Sequence, residues 1–178
     1  KAFPNLYAVR GTPYRDVRGW FDSLDKMIAE GPKFLVPSHT RPVIGKDTIA
    51  ETLGNYRDGI KHVYDETVAG MNAGKTEDEL ATTIKLPDHL KDLPYLREYY
   101  GTVPWSVRSI FVGHLGWFDG NATNLFRLSP AEEAARMVEL AGGEEALINK
   151  LESAYNSGDY QWAAQLADHL LALDPSNT

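Results

Sequence analysis

The chain has 178 residues, 43% of them hydrophobic and 11% aromatic, which is enough apolar material to bury a core and too much for intrinsic disorder over most of its length. Its 25 Asp and Glu outnumber 18 Lys and Arg, and a formal charge of -7 repels phosphate backbones and anionic membranes, so nucleic-acid binding is disfavoured. Cysteine is absent, which excludes disulfides, thiolate catalysis and Cys-based zinc sites and leaves His, Asp and Glu as the metal ligands.

No apolar run approaches the roughly 20 residues of a membrane-spanning helix, so no membrane span is expected. The opening Lys1-Ala2-Phe3-Pro4-Asn5 carries neither an initiator Met nor the basic and apolar stretches of a signal peptide, and it runs straight into a strand-like segment. A piece of a longer polypeptide is the expectation.

Asn5 to Arg10 is short, apolar and rich in β-formers, and Gly11-Thr12-Pro13 ends it as a strand meeting a loop. Val17, Phe21, Leu24 and Ile28 recur at helical spacing behind a capping Asp16, with Gly31-Pro32 as the stop. Phe34-Leu35-Val36 then reads as a second strand, so residues 5–38 are expected to form a βαβ unit with parallel pairing. Such a unit is too small to stand alone, because parallel strands need cover on both faces.

From Thr48 to Ala73 the pattern is one long helix, with Ile49, Leu53, Tyr56, Ile60, Val63, Thr67 and Met71 along one side and Gly74 at its end. Such a stripe serves equally as a core helix or as the face of a partner contact. Thr76-Glu77-Asp78-Glu79 is a capping box for a short helix through Ile84. Residues 88–101 read as irregular, and their Tyr95, Leu96, Tyr99 and Tyr100 are expected to pack on something. Another helix spans Val103 to His114 with Pro104 in its first turn, followed by a turn at Gly116 to Asn121 expected to bury its aromatics. Ser129-Pro130-Ala131-Glu132 opens a helix that Gly142-Gly143 closes. The remainder is a helical hairpin bent at Gly158-Asp159. Its Ala146, Gly158, Tyr160, Ala163 and Pro175 resemble one tetratricopeptide unit, whereas a solenoid needs about three or more copies.

Of five histidines, His39 is the informative one, because it lies just past an apolar strand, where layered α/β folds gather ligands. On pattern alone it is either a metal ligand or a hydrogen-bonded loop residue beside Arg41. No His-x-His or His-Glu-x-x-His spacing accompanies it, so any further ligands must come from elsewhere.

Five segments together resemble a known family: Leu6-Tyr7-Ala8-Val9-Arg10-Gly11, Val36-Pro37-Ser38-His39-Thr40-Arg41-Pro42, Asn55-Tyr56-Arg57-Asp58, Tyr99-Tyr100-Gly101-Thr102-Val103 and Leu115-Gly116-Trp117-Phe118-Asp119-Gly120-Asn121. They look like the alkyl sulfatases with a metallo-β-lactamase fold, in order and over nearly the whole chain. The fold this implies is mainly α: residues 1–45 finish a catalytic αββα sandwich as a βαβ remnant, and residues 46–178 form an all-helical dimerisation domain with the tetratricopeptide-like hairpin. By the same resemblance the full-length protein is a zinc-dependent hydrolase of alkyl sulfate esters and a homodimer, and a periplasmic or secreted location is favoured.

Carried over residue by residue, His39 matches the last histidine ligand of a binuclear zinc site whose other ligands, a His-x-His-x-Asp-His cluster and two acidic residues, lie outside this chain. Arg10 matches an arginine near the sulfate, where a guanidinium fork suits two anion oxygens; read by itself it is a surface arginine at a strand end. Tyr100 and His114 fall at or near positions of further sulfate contacts, although relatives often carry His at the first and Tyr at the second. Where the family commonly has His-Asn-Trp-Pro this chain has His39-Thr40-Arg41-Pro42, which leaves the substrate subclass open. The alternatives are a non-catalytic helical interaction module and a metallohydrolase acting on a lactone or phosphodiester. The isolated chain is expected to be inactive.

Overall fold

The computed structural model describes residues 2–9 and 11–176. Among the described residues, eight α-helices and a two-stranded sheet divide into two compact units, Lys1–Gly120 and Asn121–Thr178.

In the first unit, α1 (Val17–Ala29) starts where the Asp16 carboxylate accepts from the Gly19 amide at 2.9 Å, and it buries Val17, Phe21 and Leu24. The chain then turns through β1 (Phe34–Leu35) and β2 (Val43–Ile44), an antiparallel pair in which Phe34 faces Ile44 and Leu35 faces Val43. Helix α2 (Lys46–Asn72) is the spine of the unit and buries Ile49, Leu53, Ile60 and Val63. Each such side chain withdrawn from water stabilises the fold by roughly 1.5–3 kcal/mol. Helix α3 (Glu77–Thr83) begins with the expected capping box between Thr76 and Glu79. Its Leu80 lies so close to α2 that a Cβ on Gly70 would sit 2.1 Å from it, so a helix-weakening glycine is tolerated where it admits a neighbouring side chain. A single turn, α4 (Asp88–Lys91), leads to α5 (Val103–Leu115), capped by the Thr102 hydroxyl. One apolar cluster joins Phe3, Leu6 and the buried face of α1 to residues of α2, α3 and α5.

Three expectations are corrected here. The βαβ unit does not form. Asn5 to Val9 is not a strand, and the Phe3 amide donates to the Arg97 carbonyl instead of to a ladder. β1 pairs with β2 because Val43-Ile44 offers a partner across a short loop, which closes at less entropic cost than a crossover. Second, the 88–101 segment contains the α4 turn, and of its aromatic cluster Tyr95 and Leu96 pack on the core while Tyr99 and Tyr100 are 72% and 56% exposed. Third, Trp117 and Phe118 are exposed and pack edge-to-face on one another rather than being buried.

The second unit opens with a short 3-10 helix (Ala122–Phe126) and contains α6 (Pro130–Ala141), α7 (Glu144–Asn156) and α8 (Tyr160–Leu173). Ser129 and Glu132 form the expected capping box of α6, and Gly142 ends it in the left-handed region at φ 97°. Leu147, Leu166 and Leu170 are its buried centre, with Val138, Ala141, Ile148 and Leu151 packed around them.

Candidate functional site

Within the first unit, a cleft of about 420 Å³ opens between the N-terminal segment, α1, the β-hairpin, α2 and the loop before α5. The hairpin contributes His39, carried with Pro37, Ser38 and Thr40 on the loop between β1 and β2. The imidazole is solvent-exposed in a turn, so no core packing fixes it. The loop before α5 contributes Tyr100, whose main-chain carbonyl accepts from the Tyr7 hydroxyl at 2.5 Å. Burial, then the proximity of Tyr100, push the Tyr7 hydroxyl above the ordinary tyrosine value, and nearby Arg15 opposes this.

Helix α2 contributes Thr52, Leu53 and Tyr56 to the same cleft, with Asn55 beside it. Tyr56 lines it, and burial pushes its hydroxyl up to about 12. Its hydrogen bond to the Ala2 carbonyl is long at 3.5 Å. The preceding Asn55 fixes the rim by donating its side-chain amide to the Tyr95 hydroxyl at 2.9 Å. The remaining walls are mainly apolar, from Phe3, Pro4, Trp20, Leu35, Val43 and Leu53, with Asn5 and Thr52 adding polar side chains.

The structure therefore brings His39 and Tyr100 to one cleft, although the chain separates them widely. His114 does not line it. That residue lies in the last turn of α5, exposed, with its ring centroid 5.6 Å from Tyr64 and 6.2 Å from Tyr14. Arg10 lies outside the described residues. Tyr56 and Trp20 are cleft residues that sequence reasoning missed. Tyr56 stood in plain view within Asn55-Tyr56-Arg57-Asp58 but read as one more position of the helix stripe, and Trp20 carried no signal beyond a place on an amphipathic helix.

Among the described residues no three of His, Asp or Glu converge in a way that holds a metal ion. The donors present thus do not fit a zinc ion by themselves: His39 offers one nitrogen, while a catalytic zinc takes about three protein ligands. What the cleft does offer is an imidazole, three tyrosines (Tyr56, Tyr95 and Tyr100) and a mainly apolar lining, a combination suited to an amphipathic molecule with an oxygen-rich head.

The comparisons with known proteins agree with one another. A family model described as alkyl sulfatase dimerisation matches residues 76–178. A linear primary-alkylsulfatase from Pseudomonas is 45% identical over 172 residues, covering 96% of this chain and 33% of that protein. An (R)-specific secondary-alkylsulfatase from Pseudomonas is 35% identical over 180 residues, covering 99% and 27% respectively. The solved structure of the stereoselective inverting sec-alkylsulfatase Pisa1 from Pseudomonas superposes with a TM-score of 0.92 at 36% identity, over 99% of this chain and 28% of that one. The chain thus spans a third or less of the length of these relatives.

Proposed function

This chain belongs to the alkyl sulfatase family, and from that premise we propose that it is part of an enzyme that hydrolyses alkyl sulfate esters to alcohol and sulfate. Residues 1–45 would complete the catalytic domain, and residues 46–178 would serve as the helical dimerisation domain. The observation that carries the reading is the shared cleft of His39 and Tyr100. Relatives named as primary and secondary alkylsulfatases support the reaction class.

In this proposal His39 is one ligand of a zinc site whose other ligands lie outside these residues, and the metal when bound supplies Lewis acidity and an activated water. The chain's own groups then have separate tasks. The hydroxyls of Tyr56 and Tyr100 donate to ester oxygens, where donors preset toward developing negative charge are most effective. Arg10 is assigned to the sulfate by the same reading. The apolar walls exclude water, which strengthens these contacts. A homodimer is the proposed assembly, supported by the match of residues 76–178 to a dimerisation family.

The test uses the full-length protein. His39→Ala is expected to lose bound zinc and to lower kcat/KM on an alkyl sulfate by at least about 100-fold, since changes to residues that merely support a metal ligand cost up to that much. Unchanged zinc content and turnover in this variant would overturn the assignment. Parallel assays with alkyl phosphates and lactones separate a sulfatase from other metallohydrolases.

A further inference from the structure

We infer that the cleft beside His39 seats the hydrocarbon part of the ester and that Trp20 sets the chain length it accepts. The inference deepens the sulfatase reading and rests on it. Its basis is the division of chemistry within one cavity. The polar groups come from the hairpin loop, the tyrosines, Asn5 and Thr52, while the bulk of the wall is Trp20, Leu35, Val43, Leu53, Phe3 and Pro4. An alkyl sulfate has the same division, a compact anion on an apolar chain, and the volume of about 420 Å³ lies in the range of small-molecule pockets.

The secondary structure explains why these side chains meet there. Leu35 and Val43 are cross-strand partners and so share one face of the hairpin, where both are half-buried against the core. The other partners, Phe34 and Ile44, point to the opposite face and are 68% and 66% exposed. On α1 the neighbours Val17 and Phe21 anchor the helix in the core. Trp20 is only half-buried, and its indole lines the cleft as the largest apolar side chain there. A large rigid ring in this place limits how much chain the cleft can cover, and each methylene it does cover is worth about fourfold in kcat/KM.

The experiment measures kcat/KM of the full-length protein on hexyl, octyl, decyl and dodecyl sulfates, each below its critical micelle concentration. The expected profile rises about fourfold per methylene until the cleft is filled and then levels off. Trp20→Ala, which enlarges the cleft, is expected to move the plateau to longer chains. Thr52→Trp, which fills it from α2, is expected to move the plateau to shorter chains, and it keeps the test decisive if Trp20→Ala fails to fold. If the wild type hydrolyses these esters and both folded variants reproduce its profile, the inference is overturned and the sulfatase reading stands. If the wild type hydrolyses no sulfate ester, the sulfatase reading itself fails and takes the inference with it.

Discussion

The hydroxyl of Tyr7 donates to the main-chain carbonyl of Tyr100 at 2.5 Å, tying the N-terminal segment to the loop that precedes α5. The same two stretches are joined by the Phe3 amide on the Arg97 carbonyl at 2.8 Å, and the Tyr7 ring packs edge-to-face on Trp105 with centroids 5.4 Å apart. Both stretches line the cleft of His39, so this seam holds two of its walls in register.

Gly101 is where the seam is tightest. A Cβ there would lie 2.1 Å from the Pro4 carbonyl oxygen and 2.4 Å from that of Phe3, and backbone cannot swing aside as a side-chain tip can. Gly101→Ala is expected to destabilise the first unit by about 3 kcal/mol, as a lower midpoint of urea unfolding. An unchanged midpoint would show that the seam is looser than these distances imply.

Acid should weaken the helix starts. The Ser129 hydroxyl and then the Ser129 amide hold the Glu132 carboxyl below the ordinary glutamate range, and Thr76 acts likewise on Glu79 through its amide first and its hydroxyl second. Because the folded values are depressed, this stabilisation is complete above the unfolded glutamate value of about 4.3 and is lost as the pH falls through the lower folded values. Far-UV circular dichroism followed downward from pH 5 should show helix loss beginning in that window. In Glu132→Gln the contribution of α6 to this transition should vanish.

Alkali should act through Tyr56. Its hydroxyl is raised by burial to about 12, so folding favours the protonated form; that contribution is present below about pH 10 and is lost as the pH climbs through 12. Absorbance at the phenolate band is expected to show one tyrosine ionising near 12 or together with unfolding. Tyr56→Phe should delete that step and cost less than about 1 kcal/mol at neutral pH, because only a long hydrogen bond disappears. A normal ionisation near 10 for every tyrosine would contradict the buried environment.

Assembly gives a further check. Large apolar side chains stand exposed within the region matched to a dimerisation family, among them Trp105, Trp117 and Phe126, the last 92% exposed. Monomers seldom leave so many uncovered. Sedimentation equilibrium at micromolar concentration is expected to return twice the mass of one chain, and a single-chain mass at high micromolar concentration would count against a homodimer.

The helices were legible because their signals are local. Thr76 with Glu79 and Ser129 with Glu132 announced helix starts that the structure repeats, and the stripe from Ile49 to Met71 announced α2. The first forty-five residues were harder. Leu6 and Tyr7 are as apolar as a strand, yet Tyr7 is tied to the distant Tyr100 and Trp105 and Leu6 belongs to a core shared with the helices, and no pattern within a short window encodes those partners. The two dipeptides of the hairpin are too brief to show alternation. At the site, His39 stood out by its place after an apolar strand and the family resemblance gave its expected role and Tyr100, whereas Trp20 and Tyr56 needed the three-dimensional neighbourhood.

The seam also sets a timetable for synthesis. Phe3 and Tyr7 emerge from the ribosome more than ninety residues before their partners Arg97 and Tyr100. At translation rates of roughly 5–20 residues per second this is an interval of about 5 to 20 s. During it the Phe3 and Tyr7 side chains, buried in the finished fold, lack these partners, so the nascent segment is a place where a chaperone would be expected to bind.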